Sequence, residues 1–315
     1  MNPAPEIPSN VRLKAELLGK PGRAWMEGLP EQLAELEHRW GIKVGSAAPK
    51  ASEAFVAEAV TAAGEPAMLK IVIAGLDPGR RELRVLRAAE GRGYAGLICA
   101  DEAANAMLLE RLGPQLASFA LPERPRLAAI CASLRTAWRP VPRDLPLPTG
   151  AEIARTFAER IEALWLETGR PCSERAVELA LEAAQRRIAA FDPAAAVLAH
   201  GDAHQWNLLE SPSAPAAFKL VDPDGVAAER ELDLAVSMRE WVEPVFEGEE
   251  VASGHRRCSI LAALGGGDPL AIWDWGILHC LESGLGWVRL GLFDKAPLQL
   301  AMPDAWAASG AWPPA

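Results

Sequence analysis

Apolar residues follow two different spacings in the first third of the chain. Over residues 23–40 they recur every three or four positions, and Gly41 then ends the pattern, so a helix is predicted there. From 41 to 74, short alternating runs such as Leu69-Lys70-Ile71 are separated by small residues, which predicts a β-meander. A further helix is predicted over 80–90, and strands over 94–98 and 106–109.

The remaining two thirds carry mostly helical patterns. The proline-dense residues 139–148 cannot lie inside a helix, and Thr149 and Glu152 then have the spacing of a capping box. Apolar stripes follow at helical spacing, and residues 229–292 are again mostly helical, with Asp268-Pro269 at one start. The predicted fold class is α+β, with a β-rich N-terminal part and a helical C-terminal part.

Composition narrows the classes of protein. The hydrophobic share of 50% in 315 residues is enough for a sizeable core, and no apolar run reaches the ~20 residues of a membrane span. The formal net charge of −10 argues against nucleic acid, because phosphate contacts need clustered Lys and Arg. The first residues, MNPAPEIPSNVRLK, do not have the pattern of a secretory signal. Five cysteines without a CxxC pair predict free thiols, and we expect a cytoplasmic protein.

The stretch VLAHGDAHQWNLLE, residues 197–210, contains the densest group of chemically useful side chains. Asp202 and Asn207 follow a strand-like run, and Asp222 comes fifteen positions after Asn207, beyond a turn-rich link. Residues 207–210 and 217–221 are expected to pair as a hairpin, which would bring Asn207 and Asp222 to neighbouring ends. Each residue alone is also compatible with a turn or a strand end, and the joint spacing favours a site.

Phosphoryl transfer is the chemistry that uses this set. The carboxylate of Asp202 would orient an attacking hydroxyl, while Asn207 and Asp222 would supply the hard oxygen ligands that Mg²⁺ prefers. The D-x-x-x-x-N spacing and the downstream aspartate resemble the protein-kinase signature. His200 is expected to hold this loop by hydrogen bonds. Asp233 could be a helix N-cap, and we favour it as an acceptor that ties down residues 200–207.

A cation for the nucleotide phosphates is also expected. Lys70 lies in the apolar run AMLKIVIA, and a buried ammonium needs a partner, for which Glu82 on the next predicted helix is the candidate. The phosphate-covering loop is placed at Gly45-Ser46 through Ser52, and it lacks the GxGxxG pattern. The glycine-poor loop leaves the choice between ATP and GTP open.

The motif H-G-D-x-H-x-x-N-x-L, followed by VDPDG and then by ELDLA, resembles the aminoglycoside phosphotransferase and choline-kinase-like superfamily. The segments GRAWMEGLP and RGYAGLICADEAANAMLLERL are similar to its streptomycin-kinase and hydroxyurea-kinase branch. The resemblance implies a bilobal, protein-kinase-like fold with an N-terminal lobe over 1–108, a hinge over 109–113 and a C-terminal lobe over 114–315.

The resemblance also implies roles for single residues. Asp202 becomes the catalytic aspartate, Asn207 and Asp222 become Mg²⁺ ligands, and Lys70 with Glu82 binds the phosphates of ATP. Glu110 and Leu112 fall where such enzymes hold adenine through backbone groups. The implied activity is phosphorylation of a hydroxyl on a small molecule, most of all a streptomycin-type aminoglycoside.

The acceptor is expected to be cationic. Glu240, Asp274 and Glu282 lie within apolar helical patterns, where an unpaired carboxylate is costly, and Trp273 and Trp275 next to Asp274 could add cation–π contacts. The tryptophans could equally belong to the core. Two other functions stay open, a kinase of another small amine or hydroxylated metabolite and a kinase-fold binding protein without turnover. Neither nucleic acid nor a membrane is expected as a partner.

Overall fold

The computed structural model describes residues 6–49, 51, 53–74, 78–214, 216–241 and 245–310. Contacts divide the chain into two compact units, Met1–Gly113 and Pro114–Ala315. In the part of the chain that the structure describes, no helix is both long and apolar enough to cross a membrane. All five cysteines are free thiols, as the sequence predicts.

The described residues of the first unit form three helices and five strands. In chain order they are α1 (Ser9–Leu17), α2 (Lys20–Trp40), β1 (Ile42–Ala47), β2 (Ala54–Thr61), β3 (Pro66–Val72), α3 (Pro78–Ala89), β4 (Leu97–Asp101) and β5 (Ala106–Glu110). The strands form one sheet in the order β1-β2-β3-β5-β4, in which every neighbouring pair is antiparallel. The predicted β-meander is confirmed for β1 to β3.

Side chains alternate across β3 and thereby set the position of Lys70. Leu69 and Ile71 are fully buried in a core cluster that also contains Leu29 and Leu36 of α2. Because successive residues of a strand point to opposite faces, Lys70 lies on the other face of the sheet. There its ammonium meets Glu82 of α3.

The second unit is mainly helical. Its elements are α4 (Glu123–Ala137), α5 (Gly150–Glu167), α6 (Glu174–Ala190), β6 (Val197–Ala199), β7 (Leu208–Glu210), β8 (Phe218–Leu220), β9 (Val226–Ala228), α7 (Arg230–Ala235), α8 (Glu250–Gly265), α9 (Pro269–Arg289) and α10 (Pro297–Ser309). A 3-10 turn, Val236–Arg239, follows α7 directly. Two short antiparallel ladders, β6 with β9 and β7 with β8, carry the loops between these helices.

Helix α9 lies at the centre of this unit. Every residue from Ala271 to Leu281 is buried, and α9 packs against α5, α6, α8 and α10. The predicted helix starts are confirmed, since Thr149 and Glu152 form the complete capping box of α5 and Asp268 caps α9.

Two predicted boundaries differ from the structure. Helix α2 begins at Lys20, three residues before the predicted start, and two prolines lie within its sequence. The strand predicted over 94–98 begins only at Leu97, and its pairing with β5 is irregular between Leu97 and Cys99. The backbone of Gly96 is bonded to Glu110 outside the regular ladder, so the apolar Tyr94 and Ala95 are buried without being strand residues.

Candidate active site

The loop over residues 200–207, between β6 and β7, is anchored by one buried carboxylate. Asp233 of α7 is fully buried, and its Oδ2 accepts hydrogen bonds from the backbone N–H of His200 at 3.0 Å and from Trp138 Nε1 at 2.8 Å. Its Oδ1 accepts the N–H of Gly201 at 2.7 Å. These bonds fix the start of the loop. Asp233 lies inside α7, whose N-cap is Glu229, so it is not the N-cap itself.

Gly201 is required by this geometry. Its φ of +90° belongs to the region that favours glycine, and an added Cβ would lie 2.9 Å from Cβ of Asp224 and 3.2 Å from Cγ2 of Val226. The 200–207 loop thus packs directly on the segment that follows Asp222. A backbone hydrogen bond of 3.1 Å from Gly225 N to His200 O joins the same two segments.

The imidazole of His200 links both segments through its two ring nitrogens. It is fully buried, its Nδ1 accepts the N–H of Asp202 at 3.1 Å, and its Nε2 lies 2.8 Å from the carbonyl oxygen of Val221. This pattern assigns the proton to Nε2, because a carbonyl can only accept. His200 therefore orients the backbone at Asp202 and at Asp222 together.

Asn207 and Asp222 come together at the open end of the β7–β8 hairpin. Leu208 pairs with Leu220, which confirms the predicted hairpin, and Val221 N donates to Asn207 O just beyond that pair at 3.0 Å. The side-chain Nδ2 of Asn207 donates to Asp202 O at 3.1 Å, so its Oδ1 remains as a possible ligand oxygen. Asp222 has φ +57°, a conformation that non-glycine residues adopt rarely and that is concentrated at functional sites.

The carboxylate of Asp202 is held at both oxygens. Arg239 Nη2 donates to Oδ1, and His204 Nε2 lies 3.3 Å from Oδ2. Burial raises the pKa of Asp202, but the charge of Arg239 and the hydrogen bond from His204 outweigh it and hold the pKa well below its ordinary value. Burial lowers the pKa of His204, while Asp202 raises it to a net value above the ordinary one. Asp202 is therefore an anion at neutral pH.

The first unit contributes a separate ion pair. Lys70 Nζ lies 2.8 Å from Oε1 and 2.7 Å from Oε2 of Glu82, and the two side chains are 12% and 6% exposed. At such low exposure an unpaired charge would be costly, and each group supplies the partner that the other needs. The partner of Lys70 that the sequence suggests is thus the one found.

The other expected nucleotide residues lie in two places. Gly45 and Ser46, which open the expected loop 45–52, lie in β1, so the loop begins later than expected; the β1–β2 register shifts between Val44 and Ala47. The turn of this hairpin comes later, near Ala48, and parts of it lie outside the described residues. Glu110 ends β5, and its carboxylate accepts the N–H of Gly96 at 2.8 Å, while Leu112 follows in irregular chain.

Of the three carboxylates expected to face an acceptor, two act electrostatically on Arg239. Glu240 Oε2 accepts the N–H of Gln205 at 3.4 Å, so Glu240 touches the 200–207 loop. Burial lowers the pKa of Arg239, but the charges of Asp202, Glu240 and Glu282 raise it to a net value above the ordinary one. We call Asp202, Glu240 and Glu282 the acidic cluster because the charge of each acts on Arg239; of the three, Asp202 is hydrogen-bonded to it.

Asp274 does not belong to this cluster, which corrects the expectation for that residue. Its side chain is 0% exposed and is bonded by Arg186, at 2.7 Å from Nη2, and by Arg187, at 3.0 Å from Nε. Trp273 and Trp275 are buried as well, so they are core residues. A carboxylate in an apolar helical pattern needs a partner, and for Asp274 that partner is a pair of arginines of the protein and not a bound ligand.

Two residues of the site are missed by the sequence patterns. Arg239 belongs to SMREW, which matches no recognised substrate motif, and Trp138 lies about 60 positions before the loop that its indole supports through Asp233. No local signal marks either of them, because both act through contacts distant in sequence.

A family model described as aminoglycoside/hydroxyurea antibiotic resistance kinase matches residues 39–291, well over half of the chain. The chain belongs to this family. Its members are kinases, which confirms that the chain is an enzyme of the phosphotransferase class with an alcohol group as acceptor. The resemblance inferred from the HGD, VDPDG and ELDLA motifs is thereby confirmed.

Two relatives of known activity are similar over different lengths. Streptomycin 6-kinase from Streptomyces griseus is 26% identical over 290 residues, which cover 92% of either chain. Hydroxyurea phosphotransferase from Kitasatospora aureofaciens is 36% identical over 126 residues, which cover 40% of this chain and 37% of the relative.

The fold is shared with solved phosphotransferases. A hygromycin B- and ADP-bound mutant of an aminoglycoside phosphotransferase superposes with a TM-score of 0.61 at 14% identity, over 89% of this chain and 99% of that one. The α+β, protein-kinase-like fold class predicted from the sequence is therefore confirmed.

The first prediction concerns Asp274. Asp274→Asn should destabilise the protein by about 3 kcal/mol, because it removes the buried charge that pairs with Arg186 and Arg187. Urea unfolding measures this, with Glu167→Gln as control, since its partner Arg289 is at the surface and the loss should stay below about 0.5 kcal/mol. A stable Asp274→Asn protein with a raised KM for the acceptor would instead restore a substrate role.

Proposed function

We propose that this enzyme transfers the γ-phosphoryl group of ATP to a hydroxyl of a cationic small molecule, with Mg²⁺ as the metal and a streptomycin-type aminoglycoside as the acceptor. The observation that carries the proposal is the ionised carboxylate of Asp202. Both of its oxygens have partners, and the start of its loop is hydrogen-bonded to the buried Asp233. Membership of the kinase family gives this arrangement its reaction class.

Asp202 would act on the acceptor hydroxyl. Because its pKa is depressed, Asp202 is a weak base, so its main contribution is to accept a hydrogen bond from the hydroxyl and aim the oxygen at the phosphorus atom. Phosphoryl transfer passes through a loose transition state, in which positioning matters more than early removal of the proton. A fixed, ionised carboxylate suits that task.

Asn207 and Asp222 are the proposed metal ligands. One carboxylate and one amide oxygen form a hard donor set, and the bond from Asn207 Nδ2 to Asp202 O leaves the amide oxygen for this purpose. Bound Mg²⁺ neutralises charge on the phosphates of the nucleotide. The backbone hydrogen bond from Val221 to Asn207 keeps Asn207 next to the residue that precedes Asp222, so the two proposed ligands stay close together.

Lys70 is proposed to bind phosphate oxygens of ATP, with Glu82 holding the ammonium on its face of the sheet. The buried pair is preformed, so little side-chain entropy is lost when the nucleotide binds. We place the nucleotide near Gly45, Ser46, Glu110 and Leu112 as well. The ADP in the similar phosphotransferase supports a nucleotide of this kind.

Glu240 and Glu282 are proposed to attract the acceptor. Glu282 Oε1 is paired with Arg160 at 2.6 Å; Glu282 is only 17% exposed, but Arg160 is 57% exposed, and an exposed arginine changes partners at small cost. A guanidinium or ammonium of the acceptor could therefore compete for this carboxylate. The similarity to a streptomycin kinase over 92% of either chain makes a guanidine-bearing aminoglycoside our preferred acceptor, met in the cytoplasm.

Hydroxyurea is a second candidate acceptor. The local identity of 36% to hydroxyurea phosphotransferase exceeds the identity to the streptomycin kinase, although it covers only 40% of the chain. Hydroxyurea is uncharged, so it would gain nothing from Glu240 and Glu282. Comparing kcat/KM for streptomycin and for hydroxyurea separates the two candidates.

The second prediction tests the reaction. Wild-type protein should phosphorylate streptomycin in the presence of ATP and Mg²⁺, and Asp202→Asn should lower kcat by roughly 100-fold or more while ATP still binds. Mass spectrometry of the acceptor and calorimetric titration of ATP measure the two effects. Near-wild-type turnover by Asp202→Asn would show that another residue orients the hydroxyl.

The third prediction concerns the metal ligands. Asp222→Asn should weaken Mg²⁺-dependent ATP binding more than Asn207→Ala does, because a charged oxygen contributes more to a hard cation than a neutral amide. Titration of ATP at several Mg²⁺ concentrations checks the order. Equal and small losses would mean that Asp222 only ends the hairpin.

The fourth prediction addresses the charge of the acceptor. Glu240→Gln and Glu282→Gln should each raise the KM for streptomycin by about 3- to 10-fold, and the KM of the wild type should rise with salt because screening weakens the attraction. Glu167→Gln, which removes an exposed carboxylate about two helical turns along α5 from Arg160, is the control. If both variants keep the wild-type KM, the acceptor is not bound by these charges.

A further inference from the structure

The turn formed by residues 237–240 is held by an unusual set of side-chain hydrogen bonds. Four consecutive backbone carbonyls each accept a donor from one of three helices: Ser237 O and Glu240 O from Arg257 of α8 at 3.2 and 2.6 Å, Met238 O from Cys280 of α9 at 3.3 Å, and Arg239 O from Gln299 of α10 at 3.2 Å. Side chains usually supply only a minority of the bonds to backbone carbonyls. We call residues 237–240 the anchored turn.

Close packing against α9 also fixes this turn. Gly276 of α9 lies against Met238, and a Cβ at Gly276 would be only 2.9 Å from Cβ of Met238. Arg257, which bonds two of the four carbonyls, has no exposed side-chain area. Its guanidinium also stacks over Trp241 with 3.6 Å to the ring centroid and pairs with Glu123 at 2.6 Å. The backbone of the anchored turn therefore has little freedom.

Arg239 projects from this rigid turn onto Asp202. Its Nη2 donates to Oδ1 of Asp202, and His204 contacts the other carboxylate oxygen. The Arg239 side chain is 20% exposed and that of Asp202 is 31% exposed. Both side chains are thus mostly shielded from water, and a charge-assisted hydrogen bond in such surroundings is stronger than in bulk water.

We propose that Arg239 is a positioning residue that holds the carboxylate of Asp202 in the orientation needed for the acceptor hydroxyl, with the anchored turn as its rigid base. The proposal rests on the role of Asp202 in the proposed function. Arg239 acts through Asp202, and its effect therefore appears in kcat and disappears when Asp202 can no longer act.

The expected size follows from positioning. Misplacement of a reacting group by about 1 Å can cost roughly 100-fold in rate, so loss of the guanidinium should cost roughly 10- to 100-fold in kcat. The binding of ATP should change little, because the guanidinium of Arg239 donates to Asp202 and its carbonyl accepts from Gln299, and both partners belong to the second unit.

A double-mutant cycle tests the proposal. Arg239→Met keeps the aliphatic length and removes the donors, and it should lower kcat by roughly 10- to 100-fold in otherwise wild-type protein. In the Asp202→Asn background, the same substitution should lower kcat by less than about twofold, because residues that act through one another are not additive. Arg239→Lys should restore part of kcat, since an ammonium keeps one charge-assisted bond. Additive losses would overturn the proposal.

The control is Arg289→Met, which removes an arginine of α9 whose partner Glu167 is exposed, and kcat should not change. A crystal structure of Arg239→Met provides a readout that needs no activity. The Asp202 carboxylate should leave the orientation that it has in the wild type, whereas an unchanged orientation of Asp202 would also overturn the proposal.

The two hypotheses fail in different ways. If the wild type phosphorylates neither streptomycin nor hydroxyurea, the proposed acceptors are wrong, and the position of Asp202 in the Arg239→Met structure still decides the role of Arg239. The cycle can then be measured on ATP hydrolysis, with water in place of the acceptor. If transfer occurs but the cycle is additive, the proposed function stands and the positioning role does not.

Discussion

The hydrogen bonds to the buried carboxylate of Asp233 are the interaction on which the site depends. One acceptor residue in α7 binds the first two N–H groups of the 200–207 loop and the indole of Trp138. A buried carboxylate without such donors would be costly, so the loop and the carboxylate stabilise each other. The position of Asp202 is therefore set by the helical core and not by the loop itself.

From that anchor, hydrogen bonds extend in two directions. His200 carries the constraint to Val221, next to the proposed ligand Asp222, while Gly201 allows the DPDG segment to pack against the loop. On the other side, Arg239 and His204 hold the carboxylate oxygens of Asp202. The backbone of the proposed catalytic residue and its side chain are thus fixed by different parts of the same unit.

The charges in the second unit have two distinct uses. Asp274 is buried between Arg186 and Arg187 and joins α6 to α9, whereas Glu240 touches the loop that carries Asp202 and Glu282 pairs with the exposed Arg160. Both kinds of carboxylate were expected in apolar helical patterns, although Glu240 in fact follows the 3-10 turn, and both need a partner for the same physical reason. Only the position of the partner separates a structural role from a proposed binding role.

The sequence by itself determined the elements and the spacing of the proposed catalytic residues. Periodicity indicated α2 and the β-meander, and the D-x-x-x-x-N motif with its hairpin brought Asn207 beside Asp222, because both signals depend on neighbours close in the chain. Tertiary structure decided the rest. Arg239 reaches Asp202, Asp274 is enclosed by arginines, and Gly45 lies within a strand, because these outcomes depend on which faces of distant elements meet.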